Sequence, residues 1–111
     1  MNDISNIVVY NDGELELKVS MNEETIWLTQ SQMSELFDTS TDNIGLHLKN
    51  IYKEKELNEN STTENSSVVR QEGNRKVTRV IKHYNLDAII CVGYRVSSSK
   101  ATKFRQWATK F

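Results

Sequence analysis

The sequence predicts an α+β fold of winged helix-turn-helix type, with small β-hairpins packed on three to four helices. Three observations carry this expectation. Two pairs of β-prone runs, at 7–19 and 68–82, each surround a tight turn. Between them lie two capped helical segments separated by a break of a few residues. From Leu86 to Trp107 apolar residues recur at helical spacing.

The elements follow in order. Ile7-Val8-Val9-Tyr10 is β-prone, Asn11-Asp12-Gly13 is a turn signal, and Leu15 to Val19 alternates apolar and polar residues. A short β stretch, Thr25 to Leu28, leads into the first helix. Thr29 can cap that helix, and Gln32 completes a capping box. Met33, Leu36 and Phe37 continue an apolar stripe from Leu28. Asp38-Thr39 is the break, and Ser40 caps a second helix that should fade near Lys55. Its apolar positions Ile44, Leu48 and Ile51 share one face. Met33, Phe37, Thr39, Ile44 and Leu48 are the expected shared core of the pair, with small Ser34 at their close approach. Gly45 costs about 1 kcal/mol in a helix interior relative to Ala, so a close contact should explain it.

Residues Asn58 to Ser67 read as a polar loop. The second hairpin then runs through Val68 to Gln71, the turn Glu72-Gly73-Asn74, and Lys76 to Lys82. Asn85 caps a third helix through Leu86, Ile89, Ile90 and Gly93. Ser97 to Ser99 is a break before a last helix through Ala101, Phe104, Trp107 and Ala108. Nothing in the chain marks an internal boundary, so residues 1–111 are expected to form a single domain.

Charge is distributed unevenly. Residues 1–66 hold four lysines and 13 acids, whereas residues 67–111 hold ten cations and two acids. Such a split points either to a polyanionic partner or to pairing between the two halves. In the arrangement of two helices followed by a basic hairpin, the second helix enters a DNA major groove and the hairpin lies along phosphates. The candidate contacts on the second helix are Thr41, Asp42, Asn43 and Lys49. Those on the hairpin are Arg70, Arg75, Lys76 and Arg79. Ser98, Lys100 and Lys103 form a further phosphate-type group at the start of the last helix. The helix face itself is a poor match for DNA, with Lys49 as its one cation and Asp42 facing the same way. Gly45 and exposed Leu46 suit a protein contact instead, so the alternative is a protein-interaction or self-association module, with a homodimer or another protein as partner.

Other chemistry finds little support. The two histidines, His47 and His83, are far apart and read as structural. Cys91 lies in an apolar run and reads as a small hydrophobe. Neither a zinc spacing, a phosphate-binding glycine loop nor a serine nucleophile motif occurs. The expectation is no enzyme, no cofactor and no metal. No apolar run approaches the roughly 18 to 20 residues that span a bilayer, and the start lacks a signal-peptide pattern, so the chain is expected in the cytoplasm, away from membranes.

Five segments carry a family resemblance: Glu24–Phe37 (ETIWLTQSQMSELF), Asp42–Tyr52 (DNIGLHLKNIY), Ser67–Arg75 (SVVRQEGNR), Lys82–Val96 (KHYNLDAIICVGYRV) and Phe104–Lys110 (FRQWATK). Together they resemble the virulence RhuM family and, more loosely, the amino-terminal domains of phage antirepressors. The resemblance implies a bacterial or prophage-associated protein whose N-terminal module is DNA-binding-like and regulatory. It also implies a longer protein, of which these 111 residues are a fragment. Two features depart from the family pattern. Asp38 stands where many relatives carry glycine, and Asp42, Gly45 and Leu46 stand where many carry basic residues.

Overall fold

The computed structural model describes residues 6–22 and 24–111. Strands β1 (Asn6–Asn11) and β2 (Glu16–Met21) form the first hairpin, with Val8 opposite Val19 and Tyr10 opposite Leu17. Its turn is closed by side chains: Asn11 Oδ1 accepts from the Gly13 N–H at 2.8 Å, and Asp12 Oδ1 accepts from Leu15 N–H at 2.8 Å. These are the local bonds that favour Asn and Asp in turns. Gly13 adopts φ 94°, a region that costs glycine nothing.

Strand β3 (Ile26–Thr29) passes directly into helix α1 (Gln30–Leu36). Thr29 Oγ1 accepts from Gln32 N–H at 3.1 Å, and Gln32 Oε1 accepts from Thr29 N–H at 3.0 Å, so the expected capping box is formed. The break has Asp38 at φ 53°, the left-handed region where glycine is the least costly residue. Helix α2 (Thr41–Lys53) follows, with Ser40 Oγ accepting from Asn43 N–H at 3.0 Å.

Helix α3 (Glu59–Thr62) corrects the expectation of a loop at 58–67. Asn58 caps it, and strand β4 (Thr63–Glu72) begins immediately afterwards. A one-turn helix is too short to show apolar periodicity, so its cap was its only local signal. Strand β5 (Arg75–Asn85), helix α4 (Leu86–Val96) and helix α5 (Ser98–Ala108) complete the chain. The helices therefore number five among the described residues, where the sequence predicts three to four. Asn85 caps α4, and Ser97 both ends α4 and caps α5.

The two hairpins expected separately belong to one antiparallel sheet of order β1-β2-β3-β5-β4. The joint is β3, whose edges pair with β2 at Trp27 opposite Ser20 and with β5 at Leu28 opposite Tyr84. One sheet face carries Tyr10, Leu17, Val19, Leu28 and Tyr84 into a single contiguous core with Met33, Phe37, Ile44, Leu48, Ile51, Ile89, Val92 and Phe104. Tyr10 meets Phe104 edge-on at 5.0 Å and Trp107 at 5.1 Å, which seats α5 beside β1. The α+β class is as the sequence predicts.

Gly93 is the tightest point of this core. A Cβ there would lie 2.6 Å from Phe37 Cζ and 2.8 Å from Ala101 Cβ, so α4 approaches α1 and α5 only because this residue has no side chain. Gly45 has a similar internal explanation. A Cβ on it would lie 2.8 Å from Gln30 Nε2, and that amide donates to the Thr41 carbonyl at 2.7 Å. The α1 side chain thus crosses α2 at its glycine and ties the two helices together. Met33, Phe37, Ile44 and Leu48 are buried at this junction as expected, and half-buried Thr39 accepts from Asn43 Nδ2 at 3.0 Å.

Candidate nucleic-acid interface

The site is built from the outward face of α2 and from the β4–β5 hairpin. Burying Ile44, Leu48 and Ile51 fixes the rotation of α2, because those residues share one face. Thr41, Asp42, Leu46 and Lys49 then face solvent. Asn43 is half-buried, and its side chain is taken by Thr39, so it is less available than its position implies. Thr41 is exposed, with its carbonyl held by Gln30. Asp42 lies in the first turn of α2, where a negative charge favours the helix dipole. That gives this acid a reason within the fold.

The hairpin is paired without interruption from Thr63 opposite Tyr84 to Glu72 opposite Arg75. Its root is anchored by buried Tyr84 and His83, and His83 Nδ1 bonds the Ile81 carbonyl at 2.9 Å. Beyond the root, no side chain from Ser67 to Lys82 is buried. The structure therefore carries a free-standing β-ribbon, and its tip is the turn between Glu72 and Arg75 with Gly73 at φ 63°.

The basic residues divide into two groups. Arg79 is engaged: its Nη2 and Nε donate to the two oxygens of Glu72 at 2.8 and 3.0 Å. Hydrogen bonding from Arg79, and to a lesser degree the charge of Arg70, holds the Glu72 carboxyl below its ordinary range. Lys82 pairs with Glu59 and lies 5.8 Å from the centre of the Tyr84 ring. Arg95 pairs with Glu56 at 2.7 Å and Glu54 at 3.4 Å. The acids of the first half thus reach Lys82 and Arg95, as the internal-pairing reading requires. Arg70, Arg75, Lys76, Lys100 and Lys103 make no ion pair among the described residues. Of these, Arg70, Arg75 and Lys76 are exposed on the ribbon.

The structure brings α2 and the ribbon root together but not the third group. A cleft of about 320 Å³ is lined by Gln30, Gly45, Leu48, Lys49, Tyr52, Glu59 and Tyr84. Lys49 on α2 thereby shares an open groove with Glu59, which in turn holds Lys82. Tyr52 and Thr62 hydroxyls lie 2.9 Å apart beneath it and fasten α2 to α3. Ser98 and Lys100 lie in the first turn of α5. The backbone N–H groups of Glu14 and Leu15 hold the Asp12 carboxyl in the β1–β2 turn below its ordinary range, and the nearby charge of Lys103 adds to this in smaller measure. Since β1 and β4 are opposite edges of the sheet, Lys103 is not part of the ribbon's surface.

Sequence reasoning missed Glu59 and the groove it occupies. The i, i+23 pairing with Lys82 leaves no local mark, whereas the cap at Asn58 was the one available signal. Cys91 also acquires a partner invisible in the sequence. Its Sγ donates to Glu56 Oε2 at 3.0 Å. Burial first, and then Glu56, push its pKa up to about 12, so it is held as the thiol. Among the described residues, no three His, Cys, Asp or Glu side chains converge as a metal site needs. Nor is any described helix long and apolar enough to cross a membrane.

The fold and site define a small α+β domain that sets a capped helix pair beside a basic β-ribbon. Residues 61–111 match the pattern of the Virulence protein RhuM family, which bears out the resemblance read from the sequence. The matched stretch starts within α3 and covers the ribbon, α4 and α5. No curated protein and no solved structure matches the chain.

Proposed function

We propose that the chain is a DNA-binding module, not an enzyme, in a regulatory protein of bacterial or prophage type. In this reading α1 and α2 act as a helix-turn-helix and the β4–β5 ribbon as its wing. The observation that carries it is that Arg75 and Lys76, which adjoin the ribbon's turn and point to its two faces, are exposed and make no ion pair among the described residues. Cations presented this way suit phosphate, and a two-stranded ribbon fits a DNA groove. Thr41 and Lys49 are the α2 residues left free for base edges or phosphates; Arg79 serves to stiffen the ribbon. Fluorescence anisotropy with mixed-sequence duplex DNA tests this. Reversing Arg75 and Lys76 together to Glu should weaken binding at least tenfold for every sequence, given the roughly uniform effect of phosphate contacts. Unchanged binding would remove the ribbon from the interface.

A second reading has its own support. Leu46, Val69 and Val80 are 55, 65 and 70% exposed. Val69 and Val80 are neighbours on one face of the ribbon, and a contiguous apolar patch of this kind favours a protein partner, with Leu46 on α2 as a further exposed apolar position. Crosslinking or co-purification that needs these three residues while DNA binding is absent is the pattern it expects.

A further inference from the structure

Strand β4 is an edge of unusual length. It has ten residues, ends the sheet, and pairs on its inner side with β5 in unbroken register. Proteins commonly blunt such edges with charged side chains, lysine above all, or with proline, a bulge or a short strand. Thr63–Glu72 contains neither lysine nor proline, the register shows no bulge, and its charges are of both signs: Glu64, Arg70 and Glu72. Its outward backbone groups are therefore a template for another strand, and the sequence of β4 says which.

Opposed residues in an antiparallel pair must both turn their backbone groups toward the partner or both away. A two-fold pairing of β4 with itself must then be centred on a residue. Centred on Ser67, Glu64 of one copy stands opposite Arg70 of the other, and symmetry makes this contact twice. Ser66 then faces Val68, and Asn65 faces Val69, which covers a side chain that is 65% exposed in the single chain. Centring on Val68 instead sets Glu64 against Glu72, and centring on Ser66 leaves Glu64 against Val68 and Arg70 against Thr62. Charge complementarity selects the Ser67 register.

We infer that two copies of this chain pair through their β4 edges, antiparallel and centred on Ser67, to form a continuous ten-stranded sheet. Glu64 and Arg70 are the specificity residues of that interface. Arg75 and Lys76 lie beyond the paired stretch and stay free at the ribbon tips. The inference does not depend on DNA binding.

Sedimentation of the chain without DNA gives the test. The wild type should be dimeric. Arg70→Glu and Glu64→Arg should each raise the dimer Kd at least about tenfold, since each opposes like charges twice. An equimolar mixture of these two variants should recover a heterodimer, because each then supplies the charge the other lacks, and so should the double variant alone. Ser67→Cys should form a disulfide-linked dimer on mild oxidation, as directly opposed strand residues lie within disulfide reach. A monomer at all concentrations, or dimers that ignore the charge reversals, overturns the inference. Arg75→Glu with Lys76→Glu should leave the dimer unchanged, which separates this result from failure of the DNA-binding reading.

Discussion

Helix α2 and the β4–β5 ribbon stand side by side and are held together by different means. The helix is fixed by what it buries. Ile44 and Ile51 are fully enclosed, and Gln30 clamps its glycine from α1. The ribbon has no fully buried side chain beyond its root, only half-buried ones such as Val68, Val77 and Ile81, and is held by its hydrogen-bond ladder and by pairs such as Arg79 with Glu72. The helix therefore carries stability and little positive charge, whereas the ribbon carries charge and little stability. An interface built from both divides the labour, with α2 setting position and the ribbon supplying attraction.

Mutation separates the two most sharply at the core. Ile44→Ala should cost about 2–5 kcal/mol in urea unfolding, the usual range for a filled core position. Val80→Ala on the ribbon should stay within about 0.5 kcal/mol, as surface changes do. Similar costs at both positions would break the comparison. A smaller loss is expected from Gly93→Ala. Crowding Phe37 and Ala101 costs roughly 1–3 kcal/mol, offset in part by alanine's better helix propensity. Thermal unfolding reads this directly, and an unchanged midpoint would mean that the α1–α4–α5 junction can open at no cost.

The smallest expected effect concerns the groove between the two regions. Glu59→Gln removes the partner of Lys82 and one negative charge beside Lys49. Hydrogen bonding to Glu59 raises the Lys82 pKa from an ordinary value that already lies far above neutrality, so loss of Glu59 leaves the lysine charged at neutral pH. Releasing it should strengthen DNA binding by a few-fold, in line with one added phosphate contact at moderate salt. Weaker binding would assign Glu59 a positioning role in the groove.

Much of this architecture was legible in the residues. Thr29 with Gln32, Ser40 and Asn85 mark helix starts through a chemistry that acts within three residues, and the structure forms each cap. Asn11-Asp12-Gly13 and Glu72-Gly73-Asn74 likewise fix their turns locally. What the sequence hid is non-local. Nothing near β3 announces that its two edges merge the hairpins into one sheet. Glu59 finds Lys82 only after α3 and β5 are in place. The two basic groups look alike in the sequence, yet Lys103 lies by Asp12 near the far edge because α5 docks on Tyr10. The glycines show both cases: the helical cost at Gly45 pointed to a close contact, but its partner, Gln30, could be named only from packing.

The central claim is that the attraction comes from exposed ribbon cations meeting phosphates. Its most direct measurement is the affinity of the chain for duplex DNA across a salt series. At roughly 0.9 per contact, Arg75 and Lys76 should contribute about −1.8 per chain to the log–log slope, and that part should vanish when both are changed to Gln. An absence of binding at low salt, or a slope that those two changes do not alter, would contradict it.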